Sequence, residues 1–247
     1  MIPIFPASSE REAQLAQMLQ EAEVEGATAL LAEAETVEQL VAVAENAAGF
    51  AEATTKNYLH PQSPPVACKP GCSWCCYQLV PVLVPEALRI SKFVQGLPPL
   101  EAASIADRLR SLDKATRGLT SQQRVSIPKS CAYLQDGECS IHSVRPLACA
   151  EFTSYDVQVC KRGKRIGFKP ESVMHEKARR LAYNAVQRGL SEGLRSALPH
   201  ADCEPLELTA ASVIALDTPD AGSSWLEGSN VFKPAHLRRG KKSSHVK

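Results

Sequence analysis

Apolar residues recur at helical spacing along most of this chain, and the interruptions are where prolines and glycines gather. Ser9-Glu10-Arg11-Glu12 has the spacing of a capping box and predicts a first helix, with Leu15, Met18 and Leu19 as its buried stripe and an interruption at Gly26. Thr36 and Gln39 repeat the capping pattern. Val37, Leu40, Val41, Ala44, Ala47 and Ala51 then predict a second helix over 36–57, ended by the proline-rich run His60 to Pro65. Leu79 to Val84 is β-branched and contains Pro81, which fits a short edge strand. Pro85-Glu86 opens a helix to about Gln95, and Pro98-Pro99 opens another that carries Leu100, Ile105, Leu109 and Leu112. Asp136-Gly137, between two short apolar runs, predicts a hairpin with Cys131 and Cys139 on its strands or at their ends. Pro170-Glu171 is read as the start of a third long helix with Met174, Ala178, Leu181, Ala185 and Leu194 on one face. Pro205 is read as the start of a last helix to about Leu216, and everything from Thr218 on is expected to fray.

Composition agrees with helix packing. Of 247 residues 44% are apolar and only 5% aromatic, enough for a core but unlike a sheet sandwich. Net charge is +1 but uneven: residues 1–56 carry ten acids against two bases, and residues 161–247 sixteen bases against nine acids. The expectation is an acidic face packed near a basic face; a basic tail that meets a polyanion is the sharper alternative. The runs Lys161 to Arg165 and His236 to Lys242 lack interleaved aromatics, so nucleic acid is not an expected partner. No apolar run reaches the roughly 18 residues of a membrane span, and MIPIFPASSE does not resemble a secretory leader. A cytoplasmic location, with thiols kept reduced, is therefore expected.

In that setting the nine cysteines change the picture. Cys68, Cys72, Cys75 and Cys76 fall within nine residues; Cys131, Cys139 and Cys149 follow; Cys160 and Cys203 come later. Two residues between Cys72 and Cys75 let both sulfurs reach one ion through a tight turn. A helix starting near Pro70 would put Cys72, Cys75 and Cys76 on one face, where its free N–H groups favour thiolates. Adjacent Cys75 and Cys76 speak against a disulfide framework. Seven cysteines from Cys68 to Cys149 exceed the four of one tetrathiolate site. Two metals, one cluster with spare thiols, or some structural cysteines all remain open, and thiolate ligation selects zinc or iron–sulfur over magnesium or calcium. Lys69 and Arg145 are candidate counter-charges. His142 is read as an exposed hairpin residue and Cys203 as a small buried hydrophobe. The resulting fold class is mainly α with a small β-hairpin: a cysteine-rich metal-binding core flanked by long helices. Its expected parts are an N-terminal helical arm (1–60), the cysteine-cluster core (61–165), C-terminal helices (166–217) and a flexible basic tail (218–247).

The pattern C-x3-C-x2-C-C, then C-x2-L-x2-G-x-C-x-I, then R-P-x2-C-x2-F resembles the YkgJ-type cysteine-cluster family. The matching residues are Cys68, Cys72, Cys75, Cys76, Cys131, Leu134, Gly137, Cys139, Ile141, Arg145, Pro146, Cys149 and Phe152. Some relatives continue with a Ser-x-Asp and a further cysteine, as Ser154, Asp156 and Cys160 do here. Ala150 and His142 depart from the arginine and tyrosine common at those positions. The resemblance implies chelation of zinc or iron, with Cys68, Cys72, Cys75, Cys76, Cys131, Cys139 and Cys149 as the metal residues. Because the family includes flagellin lysine N-methylases, it also implies a competing expectation. That is a protein lysine N-methyltransferase using an Fe–S cluster and S-adenosylmethionine, consistent with Trp74 inside Cys68-x3-Cys72-x2-Cys75. That alternative needs alternating strands and helices after the motif, and residues 77–247 read mainly helical. In the non-catalytic expectation the metal fixes the core while the helical arms dock another protein.

Overall fold

The computed structural model describes residues 9–32, 34–166 and 173–238. The helix start expected at Pro170-Glu171 and the tail from Arg239 lie outside the described residues. The elements run α1 (Ser9–Leu31), α2 (Val37–Tyr58), β1 (Pro81–Val82), α3 (Val84–Gln95), α4 (Pro99–Thr116) and α5 (Ser121–Val125). Then follow β2 (Leu134–Gln135), β3 (Glu138–Cys139), α6 (Leu147–Glu151), α7 (Val157–Ile166), α8 (Lys177–Ala197), β4 (Leu206–Glu207), α9 (Leu208–Asp217) and α10 (Ala221–Leu226). The protein is mainly helical, as its periodicity predicts. Among the described residues no helix is long and apolar enough to cross a membrane.

Three long helices form the body. Helix α2 begins as expected: Thr36 and Gln39 complete a capping box, and Leu40, Val41, Ala44, Ala47 and Ala51 are buried. Helix α1 lies along α8, and α2 lies beside both. Gly189 and Gly193 of α8 make this approach close. A Cβ at Gly189 would come within 2.6 Å of the Gln20 carbonyl oxygen, and one at Gly193 within 2.8 Å of the Ala27 Cβ. Only glycine fits such a contact without moving a backbone. The charge asymmetry resolves here as a packed pair of faces: Arg179 of α8 reaches Glu52 of α2 at 3.1 Å, and Arg188 of α8 donates to Gln20 of α1 at 3.0 Å.

Several expectations need correction. Gly26 does not interrupt α1, because a single glycine costs only about 1 kcal/mol within a packed helix. Met18 is 66% exposed, and the buried stripe is Leu19, Glu23, Ala27 and Leu31, at i, i+4 spacing. Leu100 is 89% exposed at the first turn of α4, whose buried face begins at Ile105. Met174 is 70% exposed and precedes α8, which begins at Lys177 with the Glu176 carboxylate accepting from the Ala178 and Arg179 N–H groups. Pro205 opens not a helix but β4, and α9 starts only at Leu208.

The largest correction concerns the chain after Thr218. It was expected to fray, yet Trp225 and Phe232 are among the most deeply buried side chains. The Trp225 indole N–H donates to the Asp202 carbonyl at 2.8 Å, and Leu237 N–H to the Pro205 carbonyl at 3.0 Å. Two large aromatics outweigh the glycine- and serine-rich composition around them. The strands are short. Strand β1 pairs antiparallel with β4, Pro81 opposite Glu207, and β2 pairs with β3 as the expected hairpin.

Candidate metal centre

The cysteine region is mostly loop and short turn, so its shape depends on a few main-chain bonds. After the proline-rich run the chain turns at Gly71, whose φ of +81° suits glycine. The expected α-helix near Pro70 is absent: Trp74–Tyr77 form a 3₁₀ turn instead, with Cys72 N–H bonded to the Lys69 carbonyl and Cys76 N–H to the Ser73 carbonyl. Cys75 and Cys76 occupy that turn, and Cys72 enters it.

The second stretch joins the first directly. Cys131 N–H donates to the Cys76 carbonyl at 2.7 Å. From there the hairpin turns at Asp136 (φ 51°) and Gly137 (φ 85°), both left-handed as an Asp-Gly turn of this length requires. Its tip lies over the first loop: a Cβ on Gly137 would stand 3.8 Å from the Gly71 Cα. Cys139 closes β3 opposite Leu134. Cys149 rides on α6, whose first N–H, at Leu147, donates to the buried Glu86 carboxylate at 2.8 Å; the other oxygen of that carboxylate accepts from Leu83 N–H at 2.9 Å. One side chain thus fixes the start of α3 and the start of the helix that carries Cys149.

Cys160, which the sequence left ambiguous, belongs to the same assembly. Ala67 N–H donates to the Ser154 carbonyl at 2.8 Å, the Cys68 sulfur bonds the Ser154 backbone, and the Cys160 sulfur shares a hydrogen bond with the Ser154 side chain. Helix α7, which carries Cys160, lies on the 3₁₀ turn through two cations. The Lys164 ammonium is 3.8 Å from the Tyr77 ring centre and 5.3 Å from that of Trp74, and Lys161 is 5.5 Å from Trp74. Two lysines of the basic run Lys161 to Arg165 therefore lie on aromatic faces.

All nine cysteines are free thiols; Cys68, Cys72, Cys75, Cys76, Cys131, Cys139 and Cys149 are partly buried, Cys160 and Cys203 buried. Cys203 packs in the main hydrophobic core, the structural role expected of it. The Cys76 thiol is hydrogen-bonded to the Cys75 sulfur. A hydrogen bond from the Cys76 thiol lowers Cys75 to about 7 against the opposing effect of burial, with a smaller contribution from Arg145, while the same bond and burial raise Cys76. Burial, and then the charge of neighbouring cysteines, raises Cys131 to about 12 and Cys149 well above the ordinary thiol range. Burial likewise raises Cys68, Cys139 and Cys160.

Arg145 acts on Cys75, Cys139 and Cys149, as expected of a counter-charge. Lys69 is exposed. His142 is also exposed; Arg145 and then burial hold it below the ordinary imidazole range. Arg124 was not foreseen. It is 2% exposed, donates to the Lys129 carbonyl at 3.0 Å, and lies within electrostatic reach of Cys131 and Glu207. An arginine in a five-residue polar helix gives no sign in sequence of being enclosed.

Among the described residues no three His, Cys, Asp or Glu side chains are already arranged as ligands around one point. The cysteines form an open array of free thiols. Its chemistry nevertheless fits a thiophilic metal: eight unbridged sulfurs, gathered by main-chain bonds from two separate stretches, with Arg145 and Arg124 as nearby positive charge. Hard cations that prefer oxygen find few such donors here.

Comparison with known proteins agrees with this chemistry. Searches of the curated proteins and of the solved structures returned no match. A family model does match residues 67–178, a span that encloses all eight gathered cysteines and excludes Cys203. The chain places three residues between Cys68 and Cys72 where the family's name spells two. The matching model is that of the CxxCxxCC family, described as a "putative zinc- or iron-chelating domain", to which residues 67–178 are similar.

Proposed function

We propose that this protein is a metal-chelating module in which Cys68, Cys72, Cys75, Cys76, Cys131, Cys139 and Cys149 supply the ligands for zinc or iron. The observation that carries this reading is the 2.7 Å bond from Cys131 N–H to the Cys76 carbonyl, which brings the two cysteine stretches together through rigid backbone. Cys75 and Cys76 enter from the 3₁₀ turn, Cys131 and Cys139 flank the hairpin, and Cys149 comes from the helix anchored by Glu86. These cysteines, as thiolates, would hold the ion, which would supply Lewis-acid or structural chemistry. The chain's own contribution is to gather the sulfurs and to supply positive charge beside them. The role is that of a structural or carrier site on a helical body, in a reducing compartment. The helical arms are the surface for a protein partner.

A methyltransferase framework gains no support from the fold. Among the described residues the strands after the first cysteine group are two-residue pieces in two antiparallel pairs, not a run of parallel strands and helices.

Anaerobic purification with metal analysis and an absorption spectrum tests the proposal. Stoichiometric zinc in a colourless protein, or iron with a visible thiolate-to-iron band, is the expected result. A protein that holds neither after reconstitution under reducing conditions overturns it. Cys75→Ser is expected to lower metal content, and a variant with undiminished content and stability removes Cys75 from the ligand set.

A further inference from the structure

Eight sulfurs are twice what one tetrathiolate ion can use, and the fold divides them. Ser154 ties Cys68 and Cys160 together through its backbone and its side chain. Helix α7 is held on the 3₁₀ turn through Lys161 and Lys164, which keeps Cys160 beside the turn that Cys72 enters and Cys75 occupies. On the other side, the Cys76 carbonyl holds Cys131, the hairpin places Cys139, and Glu86 anchors the helix of Cys149. The electrostatic neighbours follow the same division. Cys68 and Cys160 each feel Cys72 and Cys75, whereas Cys76 feels Cys131 and Cys149, and Cys149 feels Cys131 and Cys139; Cys75 alone crosses, reaching Cys76, Cys139 and Cys149. Cys75 adjoins both sets, because its sulfur is hydrogen-bonded to that of Cys76.

We infer that the centre is two adjacent four-sulfur sites, Cys68, Cys72, Cys75 and Cys160 in one and Cys76, Cys131, Cys139 and Cys149 in the other, each taking one thiophilic divalent ion. This rests on the chelating reading above and adds to it a count, a division and an eighth ligand, Cys160. Charge supports the division. Four thiolates around a divalent ion leave a net charge of about −2, and two such sites side by side repel each other. Cations lie on both sides: Lys161 and Lys164 lie on the aromatic rings of the turn beside the first set, the enclosed Arg124 lies near Cys131 of the second, and Arg145 acts on Cys75 of the first as well as on Cys139 and Cys149. The Cys75–Cys76 pair is the shared wall. Adjacent residues would each serve a different ion.

The test is a metal count on the full chain, stripped of metal under reducing, anaerobic conditions. Cobalt(II) is added and followed by its thiolate charge-transfer and d–d absorption, and zinc(II) loading is counted by native mass spectrometry. The wild-type chain is expected to take two ions. Cys160→Ser and Cys68→Ser are each expected to reduce the count from two to one, as is Cys139→Ser on the other side. The double variant Cys160→Ser/Cys139→Ser is expected to take none, and Cys203→Ser to keep two. A wild-type count of one overturns the inference and leaves the chelating reading standing; a count of zero overturns both. Retention of two ions by both Cys160→Ser and Cys68→Ser overturns the division, and the wild-type count decides the matter even if a variant fails to fold.

Discussion

Glu23 offers a sharp test of how the helical body is packed. It sits in the buried stripe of α1, 3% exposed, against the glycine face of α8: a Cβ at Gly189 would come within 2.6 Å of the Glu23 Cβ. Burial raises its carboxyl from 4.5 to about 7. Arg188 and Glu192 of α8 are both bonded to Gln20, one turn earlier on α1, and Lys177 pairs with Glu12 farther along it. Because the folded pKa lies above the unfolded one, the stability is fully present below pH 4.5 and is lost as pH rises through about 7. At about 1.4 kcal/mol per pH unit, the full loss is roughly 3 kcal/mol, an upper value for a group with some access to solvent. Glu23→Gln has no such charge to bury. Urea denaturation of both proteins at pH 4.5 and pH 8.5 measures the effect as a double difference, which cancels the titration of every other group, thiols included. The variant is expected to gain on the parent by about 2–3 kcal/mol between the two pH values. A stability difference that does not change with pH would refute the claim that Glu23 is buried as a charge in neutral solution.

Further expectations concern the site and its supports. Gly193→Ala places a Cβ 2.8 Å from that of Ala27 and is expected to cost about 1–3 kcal/mol, read as a lowered thermal midpoint. Trp225→Ala opens a fully buried site in the segment after Thr218 and is expected to cost about 3–5 kcal/mol in urea denaturation; a loss under 1 kcal/mol would return that segment to a mobile tail. Glu86→Ala leaves the Leu83 and Leu147 N–H groups without their acceptor, at about 1–3 kcal/mol each, and is expected to weaken metal retention against a competing chelator through the displaced helix of Cys149. Arg145→Gln is expected to weaken metal binding in the same competition while leaving the far-ultraviolet circular dichroism unchanged, because it removes charge beside the thiols rather than a scaffold contact.

What the sequence revealed depended on whether a signal was local. The capping box of α2 and its alanine stripe, the proline-rich break before Cys68 and the Asp-Gly hairpin are all specified by residues within a few positions of each other, and each is found where its pattern places it. The cysteine cluster was equally legible, because one residue type repeated within nine positions has few explanations in an ordinary core. The failures are tertiary. Gly26 reads as a breaker, but α8 holds α1 straight; Gly189 and Gly193 look unremarkable until α1 lies across them. The segment after Thr218 has a tail's composition, and only Trp225 and Phe232, finding their places against residues far away in the chain, turn it into core. Arg124 was passed over and Cys160 left open for the same reason: one is enclosed by later elements, and the other is brought back by Ser154 and two lysines.

The pairing of β1 with β4 has a consequence for how the molecule is made. Residues 68–160 leave the ribosome well before Leu206–Glu207 and Trp225, to which Pro81–Val82 and the core must attach. At ~5–20 residues per second that interval is on the order of ten seconds. For that time β1 has no partner strand. The β1–β4 pair and the packing of Trp225 are therefore among the last contacts the chain can make.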